Sequence, residues 1–192
     1  MEDLAILHRK YRNVRSVKEA TGDLERMAKT RTLCGENFDI LSGDDDKTFE
    51  MMTRNNIRAS GVVSVISNIV PGPIGEMVKA IQNGNMERAN RLKDILDPLF
   101  KVVTVNTIES YEGFDVPCKF RNPLAIKNVM KGLGLPSGPN RPPLGKMTPK
   151  GVEVVRNALK EVYGKDKEVF RPLEKFYKIN VEERLSNDRY WK

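Results

Sequence analysis

A chain of 192 residues with 39% hydrophobic and 31% charged side chains has the length of one domain with an appendage, and enough apolar residues for a core. It holds no apolar run of roughly 18 residues, so no transmembrane helix is expected. The charges in "MEDLAILHRKYRN" likewise leave no stretch for a signal peptide. Net charge is +7, but bases and acids are interleaved and no basic run is joined to aromatics, so neither a nucleic-acid nor a membrane partner is expected.

Leu4, Ile6, Leu7 and Tyr11 recur at helical spacing over 2–12. "NVRSVK" (13–18) is short and β-branched and predicts a strand. Asp23 then stands as N-cap of a helix from Leu24 to about Cys34. "NFDILSG" (37–43) predicts a second strand, and the acids Asp44–Asp46 suit the opening of a helix. "SGVVSVI" (60–66) predicts a third strand, and "SNIVPGPIG" a loop before the next helix. Strands recurring about every 20 residues between helices argue for parallel pairing with helical crossovers, an α/β fold. After residue 85 the strands are expected to stop. "MERANRLKDILDPLFKVV", "AIKNVMKGLG" and "TPKGVEVVRNALKEVYG" read as helices, with glycine ending the second and Thr148 capping the third. The tail from Lys165 to Lys192 reads as a docked helix followed by a loose end. Cys34 and Cys118 stand far apart without a C-x-x-C pattern and read as reduced thiols of a cytoplasmic protein.

Lys18 ends the first strand, and the C-terminal ends of parallel strands are where α/β barrels place their active sites. Alternation puts Lys18, Ser16 and Val14 on one face, with Val17 and Arg15 toward the helices. A neutral lysine amine attacks ketones to form a Schiff base. An ordinary lysine, with a pKa of about 10.4, is neutral roughly once in 2,500 molecules at pH 7, so burial or a proton acceptor has to assist. On spacing alone the reading as a solvated charge prevails. Gly43, in "LSGDD", either admits a ligand close to backbone or serves a turn before helix-capping acids. "SGVVSVISN" either presents carbonyls at a barrel mouth or is a buried strand. The one histidine, His8, has no ligand partners nearby, so no metal site is assigned. No GxSxG, Walker loop or dinucleotide fingerprint occurs.

"VKEATGDL", "FDILSGDD" and "SGVVSVISN", in that order and at that spacing, resemble the dihydrodipicolinate synthase family, lysine-biosynthesis lyases among the class I pyruvate aldolase barrels. "NPLAIK" (122–127) and "RPPLGKMT" (141–148) resemble later family segments, and the likeness runs from about residue 2 to about residue 164. The resemblance implies roles. Lys18 matches the Schiff-base lysine. Val63 matches an apolar residue whose backbone lines the pyruvate site. Gly43 matches the glycine beside that pocket. The implied partners are pyruvate, aspartate semialdehyde as the candidate second substrate, and further copies of the chain in a homo-oligomer. No cofactor is implied, since the lysine itself is the electron sink.

In family terms this chain opens at the helix before the sixth barrel strand. The Thr-Thr-Gly-Glu motif that holds the pyruvate carboxylate, the proton-relaying tyrosine and the aldehyde-binding arginine have no counterpart here. The expectation is therefore a truncated synthase: a partial TIM barrel, strands six to eight with their helices, over 1–84. A helical region follows over 85–164, then an extra charged and aromatic tail over 165–192. Three strands cannot close such a barrel, and their open edges invite pairing. The isolated chain is expected to turn over weakly or not at all. The alternative is a non-catalytic structural or regulatory subunit that self-associates or pairs with a full-length synthase.

Overall fold

In the computed structural model, which describes residues 1–191, the chain is α/β and divides into two compact units. Met1–Ser64 and Gly75–Lys93 form the first. Val65–Ile74 and the chain from Asp94 onward form the second.

The first unit alternates helix and strand. Helix α1 (Glu2–Lys10) precedes β1 (Ser16–Glu19), α2 (Leu24–Cys34), β2 (Asp39–Ser42), α3 (Thr48–Thr53) and β3 (Gly61–Val62). The three strands are parallel in the order β1-β2-β3, with Lys18 beside Leu41 and Ser42 beside Val62. Parallel strands need a crossover, and helices supply it. Helix α2 starts where its cap predicts: the Asp23 carboxylate accepts Arg26 N–H at 3.0 Å, satisfying one of the free N–H groups of the first turn. The expected third strand, 60–66, is shorter in the structure. Only Gly61 and Val62 pair, because the chain turns into a 3-10 segment at Ile66–Asn68.

Met27, Phe38, Ile40, Met51 and Ile57 make a fully buried core behind this sheet. Val17 packs against it as alternation predicts, and Arg15 is exposed. Val14, expected on the face of Lys18, packs on the core instead. It lies two residues before β1 begins, where the strand's alternation does not apply. The Arg31 guanidinium is also buried and has five hydrogen bonds to carbonyls: Ile57, Gly35, Glu36, Phe38 and Arg58. It thereby stitches the end of α2 to the turns flanking β2 and β3.

Helix α4 (Pro71–Gln82) begins earlier than the expected loop allowed. Pro71 and Pro73 sit in its first turn, where a missing N–H costs nothing. Helix α5 is Met86–Phe100.

The expectation that strands stop after residue 85 is overturned in the second unit. β4 (Thr104–Tyr111) and β5 (Phe114–Arg121) form an antiparallel hairpin. Its two-residue turn, Glu112–Gly113, has positive φ at both positions, 50° and 83°, as the hairpin turn matching strand twist requires. Helices α6 (Leu124–Leu133) and α7 (Pro149–Lys165) follow, with Gly134 left-handed after α6 and the Thr148 hydroxyl accepting Gly151 N–H. The hairpin's base is buried through Val105 and Phe120, and Gly151 lets α7 lie close on Phe120.

Nor does the described tail end loosely. Helices α8 (Arg171–Tyr177) and α9 (Val181–Ser186) lead to Trp191, which is buried. Its ring lies where a side chain on Gly132 would be, and its Nε1–H donates to the Arg184 carbonyl at 2.8 Å. Among the described residues no helix is long and apolar enough to cross a membrane.

Candidate active site

Lys18, Gly43 and Val63 come together within the first unit, at the C-terminal ends of its three parallel strands. β1 runs into "VKEATGD" and β2 into "LSGDD". Gly43 N–H continues the ladder by donating to the Glu19 carbonyl at 2.7 Å, and Val63 N–H donates to the Ser42 carbonyl at 2.7 Å. The Lys18 stem lies over Gly43. A Cβ added at Gly43 would meet Lys18 Cε at 2.6 Å, Ala20 Cβ at 2.7 Å and the Glu19 carbonyl at 3.1 Å. Any side chain there would compete with the lysine for space. Lys18 and Val63 are both exposed, so this end of the sheet is open to a small solute.

The loops around Lys18 are held by polar side chains whose roles the spacing of the motifs left unread. Glu19 is buried; its carboxylate accepts Thr21 N–H at 3.2 Å and the Arg26 Nε–H at 3.3 Å. Ser42, fully buried, donates its hydroxyl to the Asp44 carbonyl at 2.8 Å, and the Thr48 hydroxyl lies 3.1 Å from Ser42 Oγ. Asp45 is buried, and its carboxylate accepts the Ser64 hydroxyl, joining the loop after β2 to the end of β3. Asp45, one of the acids that read as helix-capping charges, therefore works as a tie between strand ends. The sequence signal was the row of small hydroxyl residues Ser42, Thr48 and Ser64, which pair only through the fold.

Asp44 is a carboxyl group at this mouth with a raised pKa. Partial burial pushes its pKa up, and the nearby Asp46, Glu19 and Asp45 push the same way, against a hydrogen bond from the Gly22 backbone. His8, in α1, stacks edge-on against Phe38 and hydrogen-bonds the Val14 carbonyl at 2.6 Å through Nδ1, a packing position away from Lys18.

Comparison with known proteins assigns the chain as a whole. The model of the dihydrodipicolinate synthetase family matches residues 1–162. The chain is 35% identical over 156 residues to the 4-hydroxy-tetrahydrodipicolinate synthase of Thermoanaerobacter sp. (strain X514), covering 81% of this chain and 46% of that protein. Its fold matches the 4-hydroxy-tetrahydrodipicolinate synthase structure from Methylacidiphilum fumariolicum SolV with a TM-score of 0.73 at 29% identity, over 88% of this chain and 51% of that one. A monomeric dihydrodipicolinate synthase variant matches at TM-score 0.68 and 29% identity, over 84% and 49%. The chain thus spans about half the length of the curated relatives it matches. With the family model running unbroken through both strand-end motifs and on into α7, this chain belongs to the dihydrodipicolinate synthetase family.

Proposed function

We propose that the chain carries the lysine-bearing share of a dihydrodipicolinate synthase site, with Lys18 as Schiff-base nucleophile and Gly43 and Val63 lining the place of pyruvate. In this reading residues 1–84 are the portion of a TIM barrel holding strands six to eight, followed by a mainly helical region to 164 and the tail. The free thiols Cys34 and Cys118 suit a reducing cytoplasm. The observation that supports the reading best is the Lys18 stem packed on Gly43 at the strand mouth.

The chemistry follows from a ketone and an amine. Lys18 Nζ in its neutral form adds to the keto carbon of pyruvate, and water leaves to give an iminium. The cationic nitrogen draws electrons, so the methyl carbon releases a proton and becomes an enamine carbon. That carbon attacks the aldehyde carbon of aspartate semialdehyde, forming the new C–C bond. Water, or the semialdehyde's own amino group, then adds at the iminium carbon; the carbon–nitrogen bond to lysine breaks and the lysine nitrogen takes up a proton and leaves as the amine. Gly43 gives the lysine stem room to reach the ketone, and the Asp45–Ser64 tie holds β3 and Val63 in register with β2. The Thr-Thr-Gly-Glu motif and the relay tyrosine that the family resemblance calls for have no counterpart in these 192 residues. Very weak synthase turnover is expected for the 192 residues alone, and a robust steady-state rate would contradict that.

A second reading is a non-catalytic subunit that pairs with itself or with a full-length synthase. The open outer edges of β1 and β3, which have no strand partner among the described residues, favour it. Incubation with pyruvate and borohydride separates the two. A reduced pyruvyl group on the intact protein, absent from Lys18→Arg, supports the Schiff-base reading; an unchanged mass supports the subunit.

A further inference from the structure

The β4–β5 hairpin carries a surface that the lysine site does not use. Register and alternation place Val105, Phe120, Val116, Tyr111 and Phe114 on one face. The first two are buried at the hairpin's base, but the face continues outward with Val116, Tyr111 and Phe114 at 39%, 67% and 72% exposure. A contiguous exposed aromatic patch is unusual on a protein that works alone. Glu109 lies within this face opposite Val116, Glu112 and Asp115 stand beside the tip, and no lysine or arginine lies between Asn106 and Pro117. The tip is therefore an acidic knob on a chain whose net charge is +7.

Strand addition is not what the hairpin offers. The Ile108 carbonyl on the outer edge of β4 is taken by Lys150 Nζ from α7 at 2.7 Å. Ile108 faces Pro117 across the ladder, so the backbone of Pro117 also turns outward, and proline has no N–H to donate. Lys119 and Arg121 follow on the same edge of β5. Both edges are protected against pairing, which leaves the apolar face as the docking element.

The same unit holds a receptor of the opposite character. A cavity of about 980 Å³ opens beside α6 and the 134–147 loop, at the upper end of the range for small-ligand pockets. Its walls are apolar through Leu144, Met147 and Trp191 and basic through Lys127, Lys131 and Lys146. Aromatic anchors entering such a pocket supply affinity, and opposite charges at the rim supply register and on-rate.

We propose that the hairpin tip, Tyr111 and Phe114 within the acidic rim of Glu112 and Asp115, docks into the lysine-rimmed pocket beside α6 of a second copy of this chain, each copy offering its tip to the other. This contact does not depend on Lys18 or on the Schiff-base reading. A charge swap measured by sedimentation velocity tests it. The wild-type chain should associate with rising concentration and less so with added salt. Tip reversal (Glu112→Lys with Asp115→Lys) and pocket reversal (Lys131→Glu with Lys146→Glu) should each weaken association at least ~10-fold, and the chain carrying both should recover to within roughly 3-fold of wild type. A wild-type chain monomeric at all concentrations, association indifferent to either reversal, or no recovery in the combined variant overturns the proposal. Thermal unfolding reports whether each variant is folded. Should a reversal fail to fold, photo-crosslinking from p-benzoylphenylalanine in place of Phe114 decides instead. Crosslinks between copies to peptides spanning 127–147 support the contact, and crosslinks only elsewhere, or none, overturn it.

Discussion

Gly43 is where one missing methyl group governs the candidate site. A Cβ there would press on Lys18 Cε at 2.6 Å and on the less yielding Ala20 Cβ and Glu19 carbonyl. Overpacking of this kind costs about 1–3 kcal/mol. Gly43→Ala is therefore expected to lower stability by that amount in urea titrations and to slow pyruvate trapping, because the lysine stem has to move aside. Asp44 gives a pH signature. Its raised pKa means the folded state holds the proton more tightly than the unfolded chain, so this group's contribution to stability falls as pH climbs from the ordinary aspartate range through the raised value. Asp44→Asn, which keeps an oxygen for the Gly22 N–H, should raise the urea midpoint near neutral pH and leave it unchanged below the ordinary aspartate range. Arg31 shows how a residue escapes sequence reading. It is one of 33 lysines and arginines, and only the fold shows that five carbonyls receive its N–H groups. A lysine has three donors on a flexible stem and cannot reproduce that fork. Arg31→Lys is expected to cost about 2–3 kcal/mol in chemical denaturation, since buried carbonyls lose charged donors.

At the scale of elements, signals carried by neighbouring residues were legible. The caps Asp23 and Thr148 stand at the starts of α2 and α7, and Gly134 ends α6. The hairpin carries a local signal as well, the alternation of "TVNTIESY" and "FDVPCKF" about a Glu-Gly turn, but the expectation that strands stop after residue 85 leaves it unread. Two other features could not be read. Where β3 stops depends on Ile66–Asn68 turning away, and the burial of Trp191 depends on Gly132, far from it in sequence. Thr148 joins several elements at once. Its hydroxyl caps α7 and donates to the Glu109 carboxylate at 2.7 Å, which also accepts the Thr107 hydroxyl at 2.6 Å. These bonds, with Lys150 nearby, hold the Glu109 pKa down, so what Glu109 contributes is present above the ordinary glutamate range and lost as pH falls through the lowered value. Thr148→Ala should cost about 1–2 kcal/mol and quicken amide exchange in the half of the hairpin nearest α7.

For the whole molecule, the α/β alternation was readable because each strand-end motif is local: "VKEATGD", "LSGDD" and "SGVV" each specify a strand and the turn after it, while roles for Lys18, Gly43 and Val63 came only from the family resemblance. Their convergence follows from parallel pairing, which places every such end at one edge of the sheet. What the motifs did not reveal is the support beneath them, Ser42 with Thr48 and Asp45 with Ser64, since these side chains pair only through the fold. The proposed function rests on Lys18 meeting a ketone at that edge. The direct measurement is peptide mapping by mass spectrometry after treatment with pyruvate and borohydride. A reduced pyruvyl group is expected on the peptide containing Lys18, blocked by prior reaction with a competing keto acid. A protein left unmodified, or one labelled equally across its exposed lysines with no preference for Lys18, would contradict it.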